Sequence, residues 1–465
     1  MHDLPRHTQY KDSGLPWVGE IPVHWQKRRN RFLFREFDRR SIHGEETHLS
    51  MSQVHGLVPS KSLGRKSLQS ESYAGGKLVE EHDLVLNRLK AHLGVFARAK
   101  QAGVVSPDYT VLRPKGEASV RYCESLFKTP MYVAEFRRRT KGIVEGFWRL
   151  YTDDFYNVPA LLPPPEEQDQ IVAYLRAQDA HIVRLIKAKR DLIGLLTEQK
   201  LRIIDHAVTR GLDASIALKP SGIEWLGDVP AHWTVKPLKR WVRLNASALG
   251  EKTEPDFEFR YLDIGSVKTG RLAKELERLR FANAPSRARR VLRRGDTIIS
   301  TVRTYLKAIW YVNEEAGDLI ASTGFAVLTP GREVEPEYLG YVIQSSGFVN
   351  RVTANSIGIA YPAIAETVLG RFPVVMPPTL EEQQAILAHI KAESAPLDQA
   401  IEQALTEIKL IREYRDRLIA DVVTGQVDVR GWVPGPDDVV PEEDLAALGD
   451  DEEIDTDGEQ DDGDD

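Results

Sequence analysis

Ser13-Gly-Leu-Pro-Trp-Val-Gly-Glu-Ile-Pro-Val-His-Trp25 recurs as Ser221-Gly-Ile-Glu-Trp-Leu-Gly-Asp-Val-Pro-Ala-His-Trp233, with Ser, Gly, Trp, Gly, Pro, His and Trp identical at an offset of 208. Ser106-Pro-Asp-Tyr-Thr-Val-Leu-Arg-Pro114 is answered by Ser322-Thr-Gly-Phe-Ala-Val-Leu-Thr-Pro330, at an offset of 216. Leu162-Pro-Pro-Pro-Glu-Glu-Gln168 is answered by Met376-Pro-Pro-Thr-Leu-Glu-Glu-Gln383. Val208, Thr209 and Asp213 are answered by Val423, Thr424 and Asp428, at an offset of 215. The matches keep their order and the offset drifts by only a few residues. The chain is therefore a tandem duplication of about 210 residues, and any fold must be built twice.

Each copy reads as an opening motif, a mixed region and a long helix. Strand-like runs such as Asp83–Asn87 and Asp296–Ser300 alternate with apolar helical pieces such as Glu337–Val349. The Pro-Pro pair followed by Glu-Glu marks a helix start, because proline suits the first turn and carboxylates favour the positive end of the helix dipole. Ile182, Ile186, Lys189, Ile193, Leu196, Lys200, Ile203 and Ala207 follow alternating four- and three-residue steps. So do Leu397, Ile401, Ala404, Ile408, Ile411, Arg415, Leu418 and Val422, each 215 residues further on. These heptads predict that the two helices pair with each other along a coiled-coil seam, in preference to burying themselves each against its own domain. The expected pairing positions are Ile182, Ile186, Ile193, Leu196, Ile203, Leu397, Ile401, Ile408, Ile411 and Leu418. Pro396 predicts a break of the second helix into a short and a longer piece.

The expected fold is α+β: two similar α/β domains separated by two long antiparallel helices, related by a pseudo-two-fold axis. The expected boundaries are 1–160 (opening motif 13–25), a helical region 161–212, a second domain 213–376 (opening motif 221–233), a helical region 377–432, and an acidic disordered tail 433–465.

Composition narrows the chemistry. The formal charge is −7, from 62 basic and 69 acidic residues, yet Asp437–Asp465 carries 16 of the carboxylates and no Lys or Arg. Without it, 62 basic residues face 69 less 16, or 53, acidic ones: a body of +9. A cationic body suits a polyanion partner. The tail reads as solvated charge or, alternatively, as a DNA mimic or a docking segment. One cysteine, Cys123, excludes an internal disulfide framework and a multi-cysteine zinc site, and no metal site is expected. The polar start and the lack of a long apolar run suggest a soluble cytoplasmic protein. There is no phosphate-binding loop, dinucleotide fingerprint, zinc-protease helix or nucleophile elbow. The duplicated His24 and His232 read as pins that hold the opening motif to its domain. No catalytic residue is expected.

Binding chemistry is richer. Arg137, Arg138, Arg139 and Lys141 precede Phe147 and Trp148 in the first copy, with Arg88 and Lys90 upstream. The second copy crowds Arg287, Arg289, Arg290, Arg293 and Arg294 together, followed by Arg303, Tyr305 and Lys307, and later Arg351, Asn355, Ser356 and Tyr361. Cationic side chains neutralise phosphates, while Arg, Asn and Ser also read base edges. Two such readers, related by the expected axis, would touch inverted half-sites about one helical turn (~34 Å) apart. Because the copies differ in sequence, the half-sites should differ as well.

The duplicated opening motif, the Pro-Pro…Glu-Gln helix start and the helix ending near Val-Thr-Gly together resemble the specificity subunits of type I restriction-modification systems, from Ser13 to about Trp432. The resemblance implies two target-recognition domains, each contacting one part of a bipartite, asymmetric DNA target, and central and C-terminal helical regions that space them. It implies a subunit with no catalysis and no cofactor of its own. Its partners would be double-stranded DNA, two modification subunits that methylate adenine N6 from S-adenosylmethionine, and restriction subunits that use ATP and Mg. The third proline at 163–165, Thr-Arg-Gly211 in place of Thr-Gly, and the acidic tail depart from that pattern.

Overall fold

The computed structural model describes residues 5–52, 56–62, 73–116, 118–142, 148–358 and 361–438. Phe147 and the bulk of the acidic tail, 439–465, lie outside the described residues. The described residues divide into two units: 5–190 with 405–438, and Asp191–Ala404.

In the first unit, the strand-like run at 83–87 forms Leu84–Asn87, the third strand of a four-stranded antiparallel sheet. The order is Phe34–Glu36, Tyr109–Pro114, Leu84–Asn87, Phe96–Arg98. Helices Val120–Phe127 and Pro130–Arg139 cover it, and Phe34, Phe96, Phe127, Phe136 and Phe155 form a buried aromatic core. The opening motif leads into strand Gln26–Arg29, which pairs with Pro159–Leu162 just before the first long helix, Pro165–Arg210.

The second unit repeats this plan. Its sheet runs Val242–Leu244, Phe325–Pro330, Thr297–Ser300, Ile309–Tyr311, again antiparallel, and Thr234–Pro237 pairs with Pro373–Met376 before the second long helix, Leu380–Val423. It adds a further sheet, Glu277–Arg280, Glu258–Leu262, Leu319–Ser322, Ala288–Val291. Within that sheet Glu258–Leu262 and Leu319–Ser322 run parallel, the one parallel pairing of named strands among the described residues. The domains are thus antiparallel α+β and not α/β as expected. The reason is that successive strands join through turns, without helical crossovers.

Two expectations about helices are corrected. The apolar piece at 337–349 is two helices, Pro336–Gln344 and Ser346–Ala354, because Ser345 adopts an extended backbone and caps the first with an Oγ to Val342 carbonyl bond of 2.7 Å. The second long helix runs unbroken through Pro396. Pro396 is exposed, so the carbonyl one turn back can be satisfied by water where its amide partner is missing.

Both long helices pass from one unit to the other, so each unit holds the start of one and the end of the other. In the first unit Asp179 binds Arg415 at 2.5 Å and Lys189 binds Glu407 at 2.5 Å; partners rise along one helix as they fall along the other, an antiparallel pairing. In the second, Lys200 binds Asp398 at 2.6 Å, and Ile204, Ala207 and Val208 share a core with Ile386 and Ile390. Every heptad position is buried or half-buried. The basic intrusions at Lys200 and Arg415 remain tolerable because each meets a carboxylate at the edge of the seam.

Candidate nucleic-acid interface

The duplicated motifs first explain themselves as structural clamps. Trp25 and Trp233 are buried, and each indole Nε1 donates to the second glutamate of the helix start: Glu167 at 2.9 Å and Glu382 at 2.8 Å. The neighbouring histidines reach the same carboxylates, His24 Nε2 to Glu167 at 2.7 Å and His232 Nε2 to Glu382 at 3.0 Å. The pin reading of both histidines therefore holds. The next residue rivets two helix starts together. Gln168 accepts from Ser119 N at 2.8 Å and donates to Pro163 carbonyl at 2.9 Å. Gln383 accepts from Glu335 N at 2.7 Å and donates to Glu333 carbonyl at 3.0 Å and Pro377 carbonyl at 3.2 Å. Ser119 and Glu335 are the N-caps of corresponding helices, whose first amides lack partners of their own.

The first unit carries one further buried histidine. His7 lies 3.8 Å from Glu167 and 3.6 Å from Asp428, which Arg430 grips at 2.6 Å. Burial pushes the His7 imidazole below its ordinary range, against the opposing pull of Asp428 and Glu167. Arg430 holds Asp428 down at about 2.

The surface with binding chemistry lies where one loop leaves the third sheet strand and meets a second loop after the helices. In the second unit these are 301–308 and, among the described residues, 355–358 with 361–364. Ile357 and Ala363 exchange backbone bonds of 2.8 and 2.9 Å, Ile364 N reaches Thr301 carbonyl at 2.8 Å, and Thr304 Oγ1 bonds Ser356 Oγ at 2.7 Å. Arg303 stacks over the Tyr361 ring at 4.8 Å. Arg303 and Lys307 flank the Thr304–Leu306 turn at φ of 52° and 50°, a left-handed conformation that side chains with a Cβ adopt at a cost and that clusters at functional sites. Tyr305, Leu306, Lys307, Ile357 (84% exposed) and Tyr361 (60% exposed) face solvent.

The first unit repeats the juxtaposition. Lys141 and Arg149 exchange bonds of 3.0 and 2.9 Å, and Leu150 N reaches Arg88 carbonyl at 3.0 Å, the counterpart of Ile364 and Thr301. Lys90 and Leu93 are exposed on the facing loop, and Arg137 lies over Trp148 at 5.7 Å. Paired loops offering cations, aromatic faces and hydroxyls can neutralise phosphate, stack on bases and hydrogen-bond base edges.

The remaining expected residues divide. Arg303, Lys307, Ser356 and Tyr361 come together, with Asn355 and Arg351 beside them; Asn355 Nδ2 bonds Arg351 carbonyl at 2.8 Å, and Arg351 lies over Phe372 at 5.7 Å. Arg287, Arg289 and Arg290 lie instead on and beside strand Ala288–Val291. There Arg290 binds Glu366 at 2.5 Å, Arg289 lies over Phe281 at 4.9 Å and Arg287 reaches Tyr261 hydroxyl at 3.3 Å. In the first unit Arg138 and Arg139 bind buried Glu135 at 3.2 and 2.7 Å, Lys141 binds Asp154 at 2.8 Å, and Arg88 is tied to Asp108 carbonyl at 2.7 Å. Reading by charge alone passed over Leu93, Leu306 and Ile357. For Leu93 and Leu306 the signal is an apolar residue at the same place after the repeated strand; Ile357, after helix Ser346–Ala354, carries none.

No protein-family model and no curated protein matches this sequence. Solved structures do. A chain from a structure of complex assembly and conformational transition in the type I R-M system is 16% identical with a TM-score of 0.54, over 88% of this chain and 99% of that one. The HsdS subunit from Thermoanaerobacter tengcongensis is 18% identical with a TM-score of 0.38, over 88% and 98%. The type I restriction-modification S subunit from M. genitalium is 13% identical with a TM-score of 0.32, over 86% and 96%. The first of these likenesses shows a shared fold along nearly the whole of both chains. No helix among the described residues is long and apolar enough to cross a membrane.

Proposed function

We propose that this chain is the DNA-specificity subunit of a type I restriction-modification complex. The observation that carries the reading is the repeated loop pair, in which 87–94 meets 141–142 and 148–150, and 301–308 meets 355–358 and 361–364, in a fold shared with a chain from such a system. Each unit reads one part of a bipartite target, and because Arg303, Tyr305 and Tyr361 have different residues at the matching places of the first unit, the two parts differ in sequence. The two long helices pair as a coiled coil, hold the target-recognition domains and dock two modification subunits. Restriction subunits complete the assembly. S-adenosylmethionine, ATP and Mg are bound by those partners, and this chain contributes recognition without catalysis, in the cytoplasm.

The test is adenine-methylation mapping in cells with and without the gene, and with Arg303→Ala and Lys90→Ala separately. Deletion is expected to abolish one bipartite methylated motif. Each substitution is expected to weaken methylation and to relax or alter only one half of that motif. A methylation pattern indifferent to deletion refutes the reading.

A further inference from the structure

His7, His24 and Glu167 place three ligand-type side chains in one spot, with donor atoms all within 4.8 Å of one another, and they are the one such cluster among the described residues. We propose that these three residues form a binding site for a single divalent transition-metal ion of the zinc class, tying the N-terminal arm to the start of the first long helix.

The distances suit it. Two donors on one tetrahedral zinc, each at ~2.0–2.1 Å, lie roughly 3.3 Å apart. His24 Nε2 is 2.7 Å from one Glu167 oxygen, and His7 Nε2 is 3.8 Å from the other. The two histidine donors lie within 4.8 Å of each other, so a closure of up to about 1.5 Å brings all three donors to the bound geometry. The set is two imidazoles and one carboxylate, a donor combination that zinc accepts while keeping a fourth position for water. His24 is about a third exposed, which leaves a path for the ion and for that water.

Outer partners are already in place. His7 has a side-chain exposure of 2%, and its Nδ1 has no hydrogen-bond partner among the described residues. A buried ring nitrogen left unmatched is costly, so its presence asks for an explanation. The nearest acceptor is Asp428 at 3.6 Å, held by Arg430, and a metal-bound histidine characteristically gives its other N–H to a carboxylate. Trp25 Nε1 donates to the Glu167 oxygen that faces His7, at 2.9 Å, and so fixes the carboxylate's orientation.

The duplication supplies an internal control. The second copy keeps the histidine, tryptophan and glutamate as His232, Trp233 and Glu382, but 208 residues after His7 stands Ser215. The clamp therefore works without a third donor. His7 is an addition confined to the first unit, and one ion per chain is the expectation.

The untagged full chain, stripped with chelator and dialysed against dilute zinc, is expected to retain about one ion by elemental analysis. His7→Ala should lose it and His232→Ala should keep it. Asp428→Asn should weaken it by about 10–100-fold. His7→Cys, loaded with Co2+, should show a thiolate-to-cobalt charge-transfer band, since buried Cys123 offers no competing thiolate. This last variant gains a signal, so it cannot be mistaken for misfolding. The proposal is overturned if the wild-type chain retains no ion, if His7→Ala retains as much, or if His7→Cys gives no band.

Discussion

Replacing Gln168 or Gln383 by leucine tests whether the glutamine rivet holds each unit together. Both side chains are buried, at 1% and 0% exposure, and their bonds to the Pro163 and Pro377 carbonyls are buried as well, so water cannot stand in there. Gln168→Leu leaves the Ser119 amide and the Pro163 carbonyl unpartnered. At about 1–3 kcal/mol for each buried orphan, less the gain from added apolar contact, the loss comes to about 2–4 kcal/mol. Gln383→Leu leaves the Glu335 amide and the Pro377 carbonyl, while water reaches the carbonyl of exposed Glu333, and should likewise cost about 2–4 kcal/mol. Leucine keeps the approximate volume and favours the helix, so neither cavity nor helix propensity confounds the comparison. The assay is urea unfolding of the full chain combined with hydrogen exchange read by mass spectrometry, which assigns the weakened unit. Gln168→Leu should lower protection in the first unit and Gln383→Leu in the second. Losses within about 0.5 kcal/mol of wild type for both, as at unimportant surface sites, would refute the reasoning. So would a loss in the wrong unit.

Further outcomes follow from other sites. Gly425 has φ of +76°, and a Cβ there would sit 2.5 Å from Pro22 Cδ, whereas Gly211, at φ +73°, would meet the Trp233 ring at 3.2 Å. Both alanine variants should lower the melting temperature, Gly425→Ala the more, because a proline ring on backbone cannot swing aside. Arg260 grips Asp318 with bonds of 2.8 to 3.2 Å and holds its carboxyl below the usual range. A depressed carboxylate stabilises above its unfolded pKa, and that stability is lost as pH falls from about 4 through its folded value; Asp318→Asn should therefore flatten the acid limb of a melting-temperature profile. Arg290→Ala, which removes the partner of Glu366, should lower stability while leaving the salt dependence of DNA binding unchanged. Arg303→Ala should reduce that slope by about 0.9 if the residue neutralises one phosphate.

Much of the architecture was legible because the chain repeats itself. The matching of 106–114 with 322–330 corresponds to equivalent second strands of two like sheets, and the heptad positions are the covered faces of the two long helices. Pro396 misled because its cost depends on which side of the helix it faces, and linear sequence gives only the residue. The arginine run at 287–294 shows a related limit of linear sequence. Charge density along the chain says nothing about whether a guanidinium has a carboxylate such as Glu366 waiting in the fold. The loop surface was half visible, through Arg303, Lys307 and Tyr361, and half hidden in Leu306 and Ile357, apolar residues that look like core until the sheet turns them outward. His7 was invisible to spacing, since Glu167, which brings it together with His24, comes from a distant part of the chain.

The rivets and the exposed loops are separated in energy as well as in position. Gln168 and Gln383 sit where any change is punished, whereas Tyr305, Ile357 and Tyr361 protrude where substitutions cost little stability. A lineage of such chains can rewrite what its fingertips touch, generation after generation, on a grip that stays fixed. Divergence between the two copies is then permitted by mechanics before any selection for a new target begins.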